Sequence, residues 1–320
     1  MRYLTLPRTN LRVSTLCLGA GNLGAGVSES DSFALLDQFF DAGGTFLDTA
    51  AIYAAWTSDG KGSSERLIGK WLASRPKDAV IGTKGGHPEL HSMNVGRLTR
   101  REIEADVADS PKNLGVETLD LWYFHRDDPA VPVEELLDIM ESLVAAGKIR
   151  YYGCSNWKTA RMREFQDAAQ ARSARGFVAN QPLWSLAQSD LSGSDPTLVA
   201  MNAEMRDFHL NNSLAAIPYS SQANGFFQKI AENRPLSRGI TTTYDSEAVG
   251  ALNRARAAQV ENLGAHSGLS VTQMVLGYLL SQPFPVVPII GPRTVAQLEN
   301  SLSASEVKLS AEQVAALETN

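Results

Sequence analysis

The chain has 320 residues, 43% hydrophobic and 20% charged, which fits one large barrel or two ordinary domains and gives no compositional case for disorder. Its formal charge is −6, its pI is near 5.5 and no basic run exceeds the pair Arg100-Arg101, so nucleic acid and anionic membrane are not expected partners. The N-terminus is polar, no window approaches the roughly 18 apolar residues of a membrane span, and Cys17 and Cys154 lie in apolar stretches that read as buried free thiols; a cytoplasmic protein is expected.

Residues 1–14 read as a short hairpin around residues 7–10. Beyond it, short apolar runs alternate with amphipathic segments to the end of the chain, the pattern of strand then helix repeated. Strands are predicted at 15–18, 45–48, 80–83, 119–124, 151–154, 176–179, 214–218 and 286–290, about eight, the number that closes a parallel barrel. Helices are predicted at 32–42, opened by Asp31 and ended by Gly43-Gly44; at 63–73, shut off by Pro76; and at 100–114, where Pro111 predicts a kink or early end. Further helices are predicted at 134–146 with Pro132 in the first turn, and at 158–171, 195–208 and 270–281. Residues 219–268 are too long for one connection, with a segment at 233–243 and a helix near 247–263; such insertions usually shape a barrel's binding face. Helices at 294–302 and 310–318, the second capped by Ser310, complete the chain. No composition shift marks a boundary, so a single α/β domain over residues 1–320, a (β/α)8 TIM barrel, is expected.

Gly19 to Gly24 satisfies G-x-G-x-x-G after a strand, which raises a doubly wound dinucleotide-binding domain. That fingerprint needs the helix to start within the glycines so that its amides meet the pyrophosphate. Here residues 25–30 intervene and the first N-cap is Ser30 or Asp31, so the stretch reads as a glycine loop after a barrel strand.

In a barrel of this kind, catalytic groups gather at the C-terminal ends of strands. The predicted strands end in Asp48 with Tyr53 just beyond, Lys84, His125-Arg126, Ser155-Asn156, Asn180-Gln181 and Tyr219-Ser220. Taken singly, each has a bland explanation: an aspartate capping a loop, a tyrosine packing at a rim, a histidine satisfied by a carbonyl. Four titratable types arriving at successive strand ends is harder to explain that way.

The stretches LDTAAIY (47–53), GTKGG (82–86), LDLWYFHRDDP (119–129), GCSNW (153–157), ANQPLWS (179–185), IPYSSQANG (217–225) and PIIGPRTVAQLENSL (288–302) resemble, in order, the signatures of the aldo-keto reductases, and the likeness runs the length of the chain. The resemblance implies a (β/α)8 barrel with a bottom-sealing N-terminal β-hairpin and two extra C-terminal helices, and nicotinamide-dependent carbonyl reduction with a catalytic tetrad of Asp48, Tyr53, Lys84 and His125. The residue chemistry fits those roles. A carbonyl receiving hydride develops negative charge on oxygen and needs a proton donor in a positively polarised pocket. Tyr53 is the candidate donor, with Lys84 expected to lower its pKa, Asp48 to hold Lys84, and His125 to orient the carbonyl oxygen.

By the same matching, Ser155, Asn156 and Gln181 would hold the nicotinamide carboxamide and Tyr219 would stack on its ring. The loop that usually reads Ser-Pro-Leu-Gly is here Ser220 to Ala223, a departure that bears on how the pyrophosphate is wrapped; Gln222, Asn224 and Gly21 are placed with it. Gly291, Arg293, Gln297 and Asn300 resemble the phosphate and adenine site of bacterial members, and Arg293 is the candidate partner of a 2′-phosphate. NADP(H) is therefore favoured, with NAD(H) the alternative. Trp56, His87, Arg126 and Trp157, with Trp184, are candidates to rim the substrate pocket, which suits a sugar or sugar-derived carbonyl. The partner is expected to be a small-molecule carbonyl, the protein a monomer or homo-oligomer, and no metal ligand set is expected. Three other readings stay open: a cofactor-binding sensor or accessory subunit with little turnover, a metal-dependent lyase or isomerase on the same barrel, and an NAD-linked sugar dehydrogenase running in the oxidising direction.

Overall fold

The structure is a computed structural model that describes residues 1–75 and 78–318. Strands β1 (Tyr3–Thr5) and β2 (Arg12–Ser14) pair antiparallel, Leu4 opposite Val13. Leu6, Leu11 and Val13 bury against Cys17, Phe46, Leu121, Val178, Ala215 and Val287, so the hairpin seals the N-terminal end of the strands that follow. Polar contacts fix it there: Ser14 N–H donates to Thr45 Oγ1 at 2.9 Å and Asn10 N–H to Tyr151 Oη at 3.1 Å.

Strands then alternate with helices. They are β3 (Cys17–Gly19), α1 (Glu29–Asp41), β4 (Phe46–Asp48), α2 (Ser63–Ser74), β5 (Val80–Gly85), α3 (Arg100–Leu114), β6 (Leu119–Phe124), α4 (Val133–Ala145), β7 (Ile149–Ser155), α5 (Thr159–Ala171), β8 (Ala179–Gln181), α6 (Ala203–Asn212) and β9 (Ala215–Ala216). The rest of the order is α7 (Phe226–Ala231), α8 (Arg238–Tyr244), α9 (Gly250–Ser267), α10 (Val271–Leu280), β10 (Ile289–Ile290), α11 (Val295–Leu302) and α12 (Ala311–Glu318). The parallel sheet runs β10-β3-β4-β5-β6-β7-β8-β9. It closes on itself where Val287 N–H donates to Ala216 O and Ala216 N–H to Pro285 O, each at 2.9 Å. The barrel expected from eight strands is present.

Several expected boundaries move, each for a local reason. Helix α1 starts at Glu29, earlier than Asp31 suggested, because Ser28 is the N-cap and its Oγ accepts from Asp31 N–H at 3.1 Å; the Gly19–Gly24 loop still ends four residues before it. Helix α3 neither stops at Pro111 nor ends early. The proline sits in its last turn, where the lost amide and the clash with the carbonyl four residues back affect a single hydrogen bond, and Gly115 at φ 70° caps it at the expected end. Pro132 is the N-cap of α4 rather than a first-turn residue. Helix α6 begins at Ala203, not at 195: Asp195 turns its carboxylate onto Thr197 N–H at 2.9 Å, a loop cap, and Asn202 supplies the helix cap. Pro76 lies outside the described residues.

Residues 219–268 contain three α-helices. With α10 and α12 they enclose a second core of Phe226, Phe227, Tyr244, Val260, Met274 and Leu317, among others. Cys17 and Cys154 are buried and unpaired with each other, and no described helix is long and apolar enough to cross a membrane.

Candidate active site

Adjacent parallel strands place the first pair of charges. Asp48 ends β4 opposite Gly82 of β5, so Lys84 stands two residues further along the neighbouring strand and its side chain reaches back across. Its Nζ donates to Asp48 Oδ1 at 2.8 Å and Oδ2 at 2.7 Å, to Thr49 O at 2.7 Å and to Tyr53 Oη at 3.2 Å. From across the barrel, Gln181 Nε2 donates to Asp48 Oδ1 at 2.7 Å. Both side chains of the pair are 2% exposed; a buried ammonium and carboxylate persist only when paired and hydrogen-bonded in this way.

Tyr53 lies in the loop after β4, its ring edge-on to that of His125 with centroids 5.8 Å apart. His125 follows β6, and His87, in the loop after β5, packs against it at 4.7 Å. The four tetrad candidates therefore converge. Burial works against the Lys84 charge, but Asp48, helped by Tyr53, outweighs it and the ammonium titrates above its ordinary value. For Tyr53, burial pushes the phenol up, and the pull of Lys84 does not cancel it. The expectation that Lys84 sets the Tyr53 pKa below its usual value is thus corrected, because desolvation is the larger influence. His125 is held well below the ordinary imidazole value by burial and by the positive charges of Arg126 and Lys84, and its buried Nδ1 has no hydrogen-bond partner.

The expected carboxamide-binding residues form a connected row. Ser155 Oγ donates to Gln181 O at 2.9 Å, Asn156 Nδ2 to Ser155 Oγ at 3.1 Å, and Tyr219 Oη to Asn156 Oδ1 at 2.7 Å. Asn156 takes φ 60° to sit there, a conformation asparagine tolerates better than most residues. Ser155 and Gln181 are the last residues of their strands, at the strand ends where they were expected.

The phosphate-site candidates assemble separately. Arg293 is exposed just before the start of α11, its N–H donating to Gln297 Oε1 at 2.8 Å and its Nη2 to Asn22 Oδ1 at 3.3 Å. A Cβ on Gly291 would lie 3.9 Å from Asn22, and one on Gly21 would lie 3.7 Å from the Tyr53 ring. The loop after β3 thus spans both groups. In the loop after β9, Ser220 and Asn224 both take positive φ and Gln222 Oε1 accepts from Ser301 Oγ at 3.4 Å. Asn300 is turned onto α10, donating to Thr272 at 3.0 Å.

Of the rim candidates, Trp56 is 59% exposed and His87 and Arg126 stand beside His125. Trp157 is not at the rim. It is fully buried outside the strands among Phe124, Phe165 and Phe177, because the left-handed backbone at Asn156, φ 60° just past the end of β7, breaks the strand alternation and turns the next side chain toward α5. Trp184 likewise packs on Tyr278 and Phe284 in the second core.

Sequence reasoning missed Asn22 and Asp106. Asp106 is buried on α3 and accepts from Gly86 N–H at 2.9 Å, Lys61 Nζ at 2.7 Å and Arg97 Nη1 at 3.4 Å, so it ties together the loops that carry Tyr53 and His87. Its signal was available: an acid within the stripe Ile103, Val107, Ser110, Leu114 that α3 buries.

A parallel barrel with these groups at the C-terminal ends of its strands defines a class of oxidoreductase, and comparison with known proteins agrees. The chain belongs to the Aldo/keto reductase family, whose sequence profile matches residues 15–319. It is 30% identical to the Bacillus subtilis oxidoreductase YrpG over 98% of this chain and 93% of that one. It is also 30% identical to norsolorinic acid reductase B of Aspergillus parasiticus, over 99% and 83%. The solved structure of the thermostable aldo-keto reductase Tm1743 with the inhibitor epalrestat superposes with a TM-score of 0.72 at 25% identity, covering 99% of both chains. Membership supports an enzyme that reduces carbonyls with a nicotinamide cofactor, generally NADPH in this family.

Proposed function

We propose that the protein reduces an aldehyde or ketone to the alcohol with NADPH, Tyr53 giving the proton. The observation that carries this reading is Lys84 Nζ, bonded at once to both Asp48 oxygens and, at 3.2 Å, to Tyr53 Oη. Tyr53 keeps its proton at neutral pH because burial holds its pKa up, so a donor is in place. As the proton passes to the developing alkoxide, the Lys84 ammonium stabilises the phenolate left behind, and Asp48 keeps that ammonium charged and aimed. Neutral His125 is available as a hydrogen-bond partner for the carbonyl oxygen.

The residues present fit the nicotinamide cofactor. Ser155, Asn156 and Gln181 offer donors and acceptors in one row beside the tetrad, Tyr219 supplies a ring next to it, and Arg293 exposes a guanidinium free to fork onto a 2′-phosphate. When bound, the cofactor supplies the hydride. Arg293 favours NADPH over NADH. The sugar reading loses two of its three aromatic platforms with Trp157 and Trp184 in the core, leaving Trp56; the relative named for norsolorinic acid reduction makes aromatic carbonyls an equal part of the panel to assay.

Tyr53→Phe is expected to bind NADPH as the wild type does, by fluorescence titration, and to lose turnover roughly 1,000-fold. Turnover at a tenth of the wild-type rate would sink the assignment. A wild type that binds NADPH yet turns over no carbonyl would favour the sensor reading.

A further inference from the structure

His87 is a polar side chain beside the tetrad whose hydrogen-bonding capacity the reduction itself leaves unused. Its Nδ1 lies 2.6 Å from Pro88 O. A carbonyl can only accept, so Nδ1 carries the hydrogen, and in a neutral imidazole Nε2 is then a bare acceptor. Burial, with Arg126 nearby, lowers the His87 pKa, which keeps the ring neutral. Its position is fixed from behind: Arg97 Nη1 donates to the His87 carbonyl at 3.0 Å and is itself held by Asp106 and Glu89. The ring stands 4.7 Å from that of His125, edge to face, so His87 is the next ring along from the imidazole expected to meet the carbonyl oxygen.

We propose that His87 is a specificity-determining residue, its Nε2 accepting a hydrogen bond from a hydroxyl on the carbon next to the substrate carbonyl, and that the enzyme is selective for α-hydroxy aldehydes and ketones. The inference rests on the carbonyl-reductase reading above. Other groups at that carbon are discriminated against by what surrounds it. A carboxylate would face the Nε2 lone pair, an ammonium would face the charges of Lys84 and Arg126, and a plain methylene would cover the acceptor and leave it unpaired.

The test compares matched substrates, lactaldehyde with propanal and 2-hydroxyacetophenone with acetophenone, at saturating NADPH in wild type, His87→Phe and His87→Gln. Taking the ratio of kcat/KM within each pair, and then between enzymes, cancels the intrinsic reactivity of the carbonyls. His87→Phe is expected to lower the ratio of kcat/KM for the hydroxylated member to that for the deoxy member about tenfold, and NADPH binding by fluorescence titration reports that the variant is folded. His87→Gln, which keeps an acceptor, is expected to recover part of the loss. Equal loss on both members, or none on either, overturns the role of His87 and leaves the reductase intact. A wild type that reduces neither member of either pair overturns the substrate class, and one that also reduces no other aldehyde or ketone overturns the reductase reading itself.

Discussion

At the N-terminal ends of the strands, Leu6, Leu11 and Val13 of the hairpin close on Phe46, Leu121 and Val178 with no charge among them. At the C-terminal ends of the same strands, two residues beyond Phe46, the interior holds an ammonium, a carboxylate, a phenol and two imidazoles within hydrogen-bond or ring-contact distance. The first arrangement gains free energy from every group it removes from water. The second spends some of it, since each buried ion costs several kcal/mol before its partner offsets the loss. The strands between them are short and hydrogen-bonded on both sides, so the apolar end can support the polar one.

That contrast can be broken at its most charged point. Lys84→Met leaves the Asp48 carboxylate buried with Gln181 as its chief donor and is expected to cost about 4 kcal/mol of stability, measured by urea unfolding, along with essentially all turnover. The double variant Asp48→Leu/Lys84→Met should regain most of the stability and none of the activity. A double variant as unstable as the single one would mean that the pair holds up the fold.

A third kind of buried polar group stands on the outer face between the two ends. His209 of α6 directs Nδ1 to Leu214 O at 2.9 Å and Nε2 to Asn180 Nδ2 at 3.2 Å, and burial pushes its pKa down to about 4. A folded-state pKa below the unfolded value of about 6.5 means that stability is fully present above pH 6.5 and falls as pH drops toward 4. The loss over that window is expected to reach roughly 3 kcal/mol, and His209→Gln should flatten it in unfolding curves recorded across that range.

At the sealed end, Leu11→Ala is expected to cost about 2 kcal/mol, the low end for a buried leucine because the hairpin can settle into the gap, with kcat/KM unchanged. A fall in kcat/KM there would show that the ends are mechanically coupled. The smallest effect expected is at Arg293, whose guanidinium meets Asn22 at 3.3 Å: Arg293→Ala should weaken NADPH about tenfold, leave NADH binding unchanged, and so erode the preference between them.

Much of this was legible in the sequence because strand ends in a parallel barrel are read out in chain order. Asp48, Lys84, His125 and Gln181 could be collected one strand at a time, and the structure brings them together. What escaped has a common physical cause. Trp157 follows Asn156 directly, and the left-handed turn at Asn156 sends it to the helix side against the alternation of β7, a backbone change that composition does not carry. Asp106 acts from a helix and so was at no predicted strand end, and Asn22 sat just past one, in a stretch read only for its glycines. The start of α6 was misplaced because Asp195 has the residue type of a helix cap and uses it in a turn instead. The upward shift at Tyr53 depended on the depth of burial, which no local pattern reports.

The seam of the barrel has a consequence for how the protein comes into being. β3 pairs with β10, joining Cys17 to Ile289, so the first strand of the parallel sheet waits for its last before its edge is satisfied. Contacts of such sequence separation form late and slowly. Arg293 arrives with that closing stretch, so the nascent chain would display the tetrad and the residues proposed for the nicotinamide before it has the guanidinium proposed for the far phosphate, and a truncation before β10 would leave two open sheet edges rather than a smaller enzyme.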